Sequence, residues 1–285
     1  YWELKEWFTN VDFTIVGSGI VGLNCALELK KKYPKAKLLT GASTHAYFDT
    51  KESPASREMQ DGDGFYEVYN SALLIGLDDS ISIYHKTKLV LGTETLPFQF
   101  VTKPLEELFD LGGTTGTLGV SKEPINFKVG NAIVAPTICY ESIYGEYIGE
   151  FCKNGATLIS VSTNDAWWYD TPGYKQLLAY TRLRAIENRK WIARSANTGI
   201  SCFINPKGEI VKQTKWEEKT SIAMDVPLME ATTFYSVQGD FLSRIAMLLA
   251  PLLLLLTFVR KVICPIFFIT FFSAYSWFLE SRYSC

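Results

Sequence analysis

Apolar positions fall in short runs over most of the chain and in one long block at its end. "KLLTGAS" (37–43) reads as a strand ending in small residues. "YNSALLIG" (69–76) and "SISIYHK" (80–86) have strand length and β-rich composition, with a hairpin turn at "LDD" between them. "GTLGV" (116–120) and "INFKVGNAIVAPTICYE" (125–141) suggest two more strands. "SIYGEYIGEFCKNG" (142–155) is helical and stops at Gly155. "ATLISVST" (156–163) is a buried strand. "GYKQLLAYTRLRAIENRKW" (173–191) is a long helix with Leu177, Leu178, Leu183 and Ile186 among its apolar positions. "IARSAN" and "ISCFINPKGEIV" follow as strands, the second broken by an Asn-Pro-Lys-Gly turn. The polar segment 44–64, with Pro54 and Asp-Gly pairs at its end, reads as a long surface loop. Paired strands alternating with helices predict a layered α/β domain.

The two ends differ from this middle. Asp12–Val16 forms a short strand that runs into "GSGIVG", with Gly17, Gly19 and Gly22 in GxGxxG spacing. Such glycines permit a tight turn and a pyrophosphate close to a helix N-terminus. This stretch resembles the start of FAD-dependent oxidoreductases of the amino-acid oxidase type. That family closes its second strand on an acidic residue that holds the ribose. Here the strand reads "LLTGAST" and carries no acid, so no cofactor is expected. At the other end, "FLSRIAMLLAPLLLLLTFV" (241–259) holds one charge, Arg244, and as a helix spans about 28 Å, near the thickness of a bilayer core. Arg260 and Lys261 follow, then a second uncharged run over 262–279. The positive-inside rule puts the two cations in the cytoplasm and the residues before 241 outside. One span or two is left open, as is a buried apolar hairpin.

Composition narrows the function. The net charge is -2 and no basic stripe is present, which argues against a nucleic-acid partner. Cys25, Cys139, Cys152, Cys202, Cys264 and Cys285 form no CxxC pair, and the histidines are His45 and His85 alone. A disulfide scaffold, a zinc site and a His-rich metal centre are therefore not expected. A chain that opens on Tyr1 reads as a fragment.

"TICYESIYGEY" (137–147) places Cys139 where a buried strand meets a helix. An elbow of that kind exposes the sulfur and lends it a helix dipole, which favours the thiolate. A buried structural cysteine fits the same stretch. The blocks around it alter the balance: YNSALLIG, then YHK…LV…E…LP (84–97), ICYESIYGE, STNDAWW (162–168) and RLRAIENRKWIARSANTGIS (182–201). In this order they resemble the carbon–nitrogen hydrolase (nitrilase) superfamily, and within it the apolipoprotein N-acyltransferases. The likeness covers about residues 38–240, and "TFYSVQGDF" (233–241) before an apolar helix also fits.

The resemblance implies a four-layer αββα sandwich, a Glu–Lys–Cys triad and covalent acyl transfer. Cys139 would be the nucleophile and Lys86 the oxyanion partner, with Glu94 an additional functional carboxylate. Tyr140 and Glu141 match the residues after the nucleophile. Asn164, Asp165 and Trp167 would line or support the substrate site. Arg184, Glu187, Arg194 and Asn197 would brace it. The implied partners are a phospholipid acyl donor, an apolipoprotein acceptor and the membrane. The implied place is a bacterial-type inner membrane, with the catalytic part on the outer, periplasmic face. The alternatives are an amidase or nitrilase of the same superfamily, an FAD oxidoreductase, and a non-catalytic binding remnant.

One departure matters chemically. The family sets its glutamate base in a "PE" step after the opening strand, and here Asp12–Val16 ends in Gly-Ser-Gly instead. Glu28 lies in the following helix, and Leu177 stands where the family tends to place a histidine. The simplest account is a join near Lys37/Leu38. The expected organisation is then 1–37 as the oxidoreductase-like fragment, 38–240 as the hydrolase-type domain, 241–279 as membrane segment or segments, and 280–285 as a tail.

Overall fold

The computed structural model describes residues 13–16, 31, 36–60, 62–76, 80–95, 117–218 and 220–263. Gly17, Gly19, Gly22, Glu28, the turn at 77–79 and the apolar run beyond 263 lie outside the described residues. The chain divides into two compact units, Tyr1–Gly239 and Asp240–Cys285.

Two sheets form the first unit. One contains β1 (Phe13–Val16), β2 (Lys37–Phe48), β3 (Arg57–Glu58), β4 (Phe65–Ile75) and β5 (Ile81–His85). β1 runs parallel to β2, with Val16 opposite Thr40. β2 and β4 make a long antiparallel ribbon from Leu38↔Ile75 to Phe48↔Phe65. β3 and β5 share the far edge of β4. The expected surface loop at 44–64 is therefore shorter than the polar composition suggested. "THAYF" continues β2 because its side chains alternate between half-buried and exposed, and the β-rich "FYEVY" lies opposite it.

The second sheet has the order β11-β10-β9-β8-β7-β6. Its strands are β6 (Phe127–Val129), β7 (Ala132–Ile138), β8 (Leu158–Thr163), β9 (Ile192–Ala196), β10 (Cys202–Ile204) and β11 (Ile210–Gln213). β7, β8 and β9 are parallel, and the edge pairs are antiparallel. Every residue of β8 is buried, as suits a parallel strand covered on both faces. The crossovers are α1 (Gly145–Lys153) and α2 (Pro172–Asn188). Thr171 caps α2 by accepting from Gly173 N–H, and Pro172 opens the helix. Leu39, Ala72, Leu74 and Tyr84 of the first sheet share one core with Phe127, Val134, Ile159 and Ile192 of the second. Ile148, Phe151 and Cys152 bring α1 into the same core.

The fold is thus an α/β sandwich of two facing sheets. The helical layer expected over the first sheet falls on residues outside the described set. After β11 the chain returns across the helices. Lys190 Nζ donates to the carbonyls of Met229 and Ala231, and Ser236 Oγ donates to Asn188 Oδ1. These bonds seat a short helix, α3 (Phe234–Gln238), which Thr233 caps.

In the second unit, α4 (Phe241–Phe258) begins on Asp240, whose carboxylate accepts from Ser243 N–H. It passes into a π-helical turn at Val259–Ile263. Phe241–Lys261 is one helix of 21 residues with no buried side chain, long and apolar enough to cross a membrane.

Candidate active site

Carboxyl ends of parallel strands are where open α/β sheets place their chemistry, because βα loops converge there. Cys139 directly follows β7, Asn164 and Asp165 follow β8, and Asn197 follows β9. Cys139 adopts φ 47°, a left-handed conformation unusual for a side chain with a Cβ. That strain turns the chain sharply at the cysteine. The expected helix does not start there, however. Cys139–Ile143 is a five-residue 3-10 turn, Tyr144 is extended, and α1 begins only at Gly145. The cause is local: the side chain of Glu141 takes up the N–H of Ile138, which closes a tight turn. Cys139 is half-buried. Cys152 and Cys202 are fully buried, and burial pushes their thiols up to about 12 and about 11. Of the cysteines among the described residues, only Cys139 suits a nucleophile.

Lys86 follows β5 and is fully buried. Its Nζ donates to both oxygens of Glu94, at 2.8 and 2.7 Å. Glu94 also accepts from Asn70 Nδ2 at 3.1 Å and from Val90 N–H at 2.8 Å. Each carboxylate oxygen thus has two donors, an arrangement that orients a lysine rather than one that is free to take a proton. The structure brings Lys86 and Glu94, each named from the family resemblance, into direct contact.

Glu141 is the hub of the site. Its Oε1 accepts from Tyr84 Oη at 2.6 Å, Thr87 N–H at 2.7 Å and Lys88 N–H at 3.3 Å, and its Oε2 from Ile138 N–H at 2.8 Å. Burial pushes the carboxyl up, while Tyr84, Ile138, Thr87 and the charge of Lys86 pull it down. Thr87 is the residue after Lys86, and Ile138 is the residue before Cys139. One buried carboxylate therefore ties the lysine strand to the cysteine elbow, across the two sheets.

The remaining candidates fall into two groups. Asp165 is buried and paired with Arg194 at 2.8 Å, both side chains being fully sealed. Thr163 Oγ1 donates to the same carboxylate, and Arg194 Nη1 donates to the carbonyl of Ile200. Gly199 at φ 136° lies so close that a Cβ would come within 2.4 Å of Asp165 Oδ2. Asp165 and Arg194 hold the loops together. Arg184 likewise donates to the carbonyl of Ile143 at the end of the 3-10 turn and pairs with Glu187. Asn164 links its own turn to the segment after β9, accepting from Ala166 N–H and Thr198 Oγ1. Trp167, by contrast, is 68% exposed, beside exposed Trp168 and Tyr169. Tyr140 is half-buried and meets Tyr144 edge-on. Tyr84, Tyr147 and Asn70 escaped sequence reading, since isolated tyrosines and an asparagine within strands and helices carry no motif of their own.

β1 lies beside β2, yet it ends on Val16 and is followed by Gly-Ser-Gly, so no glutamate stands at the end of this strand. Among the described residues, no group of three or more His, Cys, Asp or Glu side chains could hold a metal ion.

Residues 52–234 match the carbon-nitrogen hydrolase family. An apolipoprotein N-acyltransferase of Chlorobaculum tepidum is 33% identical over 202 residues, which is 69% of this chain and 38% of that protein. The Haemophilus influenzae protein of the same name is 31% identical over 179 residues, 62% of this chain and 34% of the other. The chain thus spans little more than a third of these relatives. Among solved structures, a nitrilase-superfamily amidase from Nesterenkonia AN1 has a TM-score of 0.48 at 14% identity, covering 76% of this chain and 79% of that one.

Proposed function

Because this chain belongs to the carbon-nitrogen hydrolase family, we propose that it transfers a fatty acyl group from phospholipid to the N-terminal lipidated cysteine of a lipoprotein, through a thioester on Cys139. The observation that carries the reading is the Glu141 bridge, which couples the residue after Lys86 to the residue before Cys139. In the first half-reaction the Cys139 thiolate attacks the ester carbonyl of the donor. A C–S bond forms, the C–O bond breaks, and the lysophospholipid leaves as an alcohol after taking up a proton. Lys86 stabilises the oxyanion of the tetrahedral intermediate. In the second, the α-amine of the acceptor attacks the thioester carbonyl, a C–N bond forms and the C–S bond breaks, and the proton shed by the amine returns to the released Cys139 sulfur.

Support for a lipid donor comes from the relatives that bear this name, from α4, and from the exposed Trp167, Trp168 and Tyr169, which suit an interface. Asn164 and Asp165 support the site as loop anchors, and Tyr140 borders it. The chain lies in a bacterial-type inner membrane. Arg260 and Lys261, in the π-helical turn that follows α4, face the cytoplasm, leaving the catalytic unit on the periplasmic side.

The missing glutamate sets the rate. A positioned general base contributes about 10²–10⁴-fold, and Glu94 is already filled by Lys86, Asn70 and Val90. Turnover is therefore slow. The test is mass spectrometry of the purified chain after incubation with phospholipid. The expected result is little adduct on Cys139, rising when a glutamate is restored after β1. Rapid adduct formation in the unaltered chain sinks the crippled-site view, and absence of adduct in both sinks acyl transfer. Turnover of small amides instead would point to an amidase.

A further inference from the structure

Behind the elbow lies a chain of hydroxyls that the acyl-transfer steps do not use. Tyr84 Oη donates to Glu141 Oε1 and stands 2.6 Å from Tyr147 Oη. Tyr84 has one hydroxyl proton, and the carboxylate takes it, so Tyr147 must donate to Tyr84. The order Tyr147 to Tyr84 to Glu141 is thereby fixed. Both rings are buried and meet Phe151 edge-on, at 5.6 and 5.2 Å between centroids. The Lys88 ammonium lies 5.2 Å from the centre of the Tyr147 ring. Tyr84 sits two residues before Lys86, and Tyr147 sits on α1, the helix that follows the elbow.

We propose that Tyr84 and Tyr147 are positioning residues whose hydroxyl chain keeps Glu141 a carboxylate and so holds Lys86 in register with Cys139. This rests on the reading of Cys139 and Lys86 given above. The groups facing Glu141 are Tyr84, Lys86 and the N–H groups of Thr87 and Lys88 from β5 and the segment after it. Ile138 N–H faces it from β7 and Tyr147 from α1. Arg184 of α2 reaches the same turn, but its guanidinium is engaged by Ile143 and Glu187. Burial and the charge of Glu141 push both tyrosine hydroxyls far above their ordinary range, so both remain donors at any working pH. Burial also pushes Glu141 up, and the Tyr84 hydrogen bond is the first of the contacts that oppose it. A protonated Glu141 would turn one acceptor oxygen into a donor. A backbone N–H, of Thr87 or Ile138, would then lose its partner and the bridge would slacken.

The test uses the full chain in detergent micelles. Alkylation of Cys139 by iodoacetamide is followed by peptide mass spectrometry from about pH 5 to about pH 8. In Tyr84→Phe the rate should match the parent at the alkaline end and fall away earlier as pH drops, to about a tenth of the parent at the acid end. Tyr147→Phe should move the same way by less. Glu141→Gln should react slowly at every pH, and adding Tyr84→Phe to it should change nothing further. A Tyr84→Phe profile that overlays the parent, or that drops equally at every pH, overturns the proposal. If Tyr84→Phe does not fold by circular dichroism, Tyr147→Phe decides by the same criterion. Phospholipid adduct formation is measured beside it. A shifted alkylation profile with no adduct, even after the glutamate is restored, removes the acyl-transfer reading and leaves the positioning pair. An adduct with an unshifted profile does the reverse.

Discussion

Two ion pairs stand near the carboxyl ends of strands, one in each sheet, and they differ in what surrounds them. Asp165–Arg194 is sealed on both sides, with Gly199 and Thr163 against the carboxylate. Lys86–Glu94 has a buried lysine, but its carboxylate keeps 17% of its surface open. A sealed pair can only hold its loops, since no reactant reaches it. A pair whose carboxylate reaches the surface borders solvent, and on the proposed reading its cation meets the charge that forms during reaction. On that reading, chemistry of one kind serves scaffold in one place and site in the other, and burial rather than residue type separates them.

The sharpest way to break this contrast is to remove one cation from each pair. Arg194→Met leaves Asp165 charged and buried, and should cost about 3–5 kcal/mol of stability, read by denaturant unfolding. Lys86→Met leaves a carboxylate that water can reach. It should fold nearly as the parent does and lose about 10²–10³-fold in acylation of Cys139 by a p-nitrophenyl ester. Equal stability losses in the two variants would end the distinction. Glu94→Gln keeps the lysine but loosens its aim, so about a ten- to hundredfold drop is expected in the same assay.

Cys202 reports on the sealed pair. Its thiol is pushed up to about 11, by burial first, with Arg194 and Asp165 nearby. Near pH 8 iodoacetamide should label Cys139 and leave Cys152 and Cys202 untouched in the folded chain. Cys202 should open to labelling in Arg194→Met and stay closed in Lys86→Met.

The smallest effect concerns a buried carboxylate, Glu67, held by hydroxyls rather than by a cation among the described residues. Burial pushes Glu67 up, but the hydroxyls of Ser53, Ser56 and Tyr69 outweigh it and hold the carboxyl below its ordinary range. A depressed carboxyl stabilises the fold above its unfolded pKa, and this is lost as pH falls through the folded one. Glu67→Gln should flatten that acid-side part of the thermal stability profile.

Much of this was legible along the chain because its signals are local. The buried run "LISVST", the Pro172 start of α2 and the Asn-Pro-Lys-Gly turn each speak for themselves. Lys86, Glu94 and Cys139 stood in motifs that could be matched block by block. Two things were not legible. The strand continuation at 44–48 depends on a partner some twenty residues away, so its own polarity misled. The Glu141 network depends on Tyr84, far off in sequence, and on backbone N–H groups that no side-chain pattern records. The sequence suggested a cysteine on a helix dipole. The structure instead shows a carboxylate-closed 3-10 turn, because a side chain three residues past Ile138 competes for the backbone there.

On the proposed reading, the apolar helix Phe241–Lys261 changes the unit in which the reaction is counted. A chain held in lipid meets its donor by sliding in a plane, so donor abundance is a surface fraction and not a molarity. On the proposed reading, adding buffer to a vesicle suspension leaves the rate per protein unchanged. Diluting the phospholipid with inert detergent lowers it in proportion.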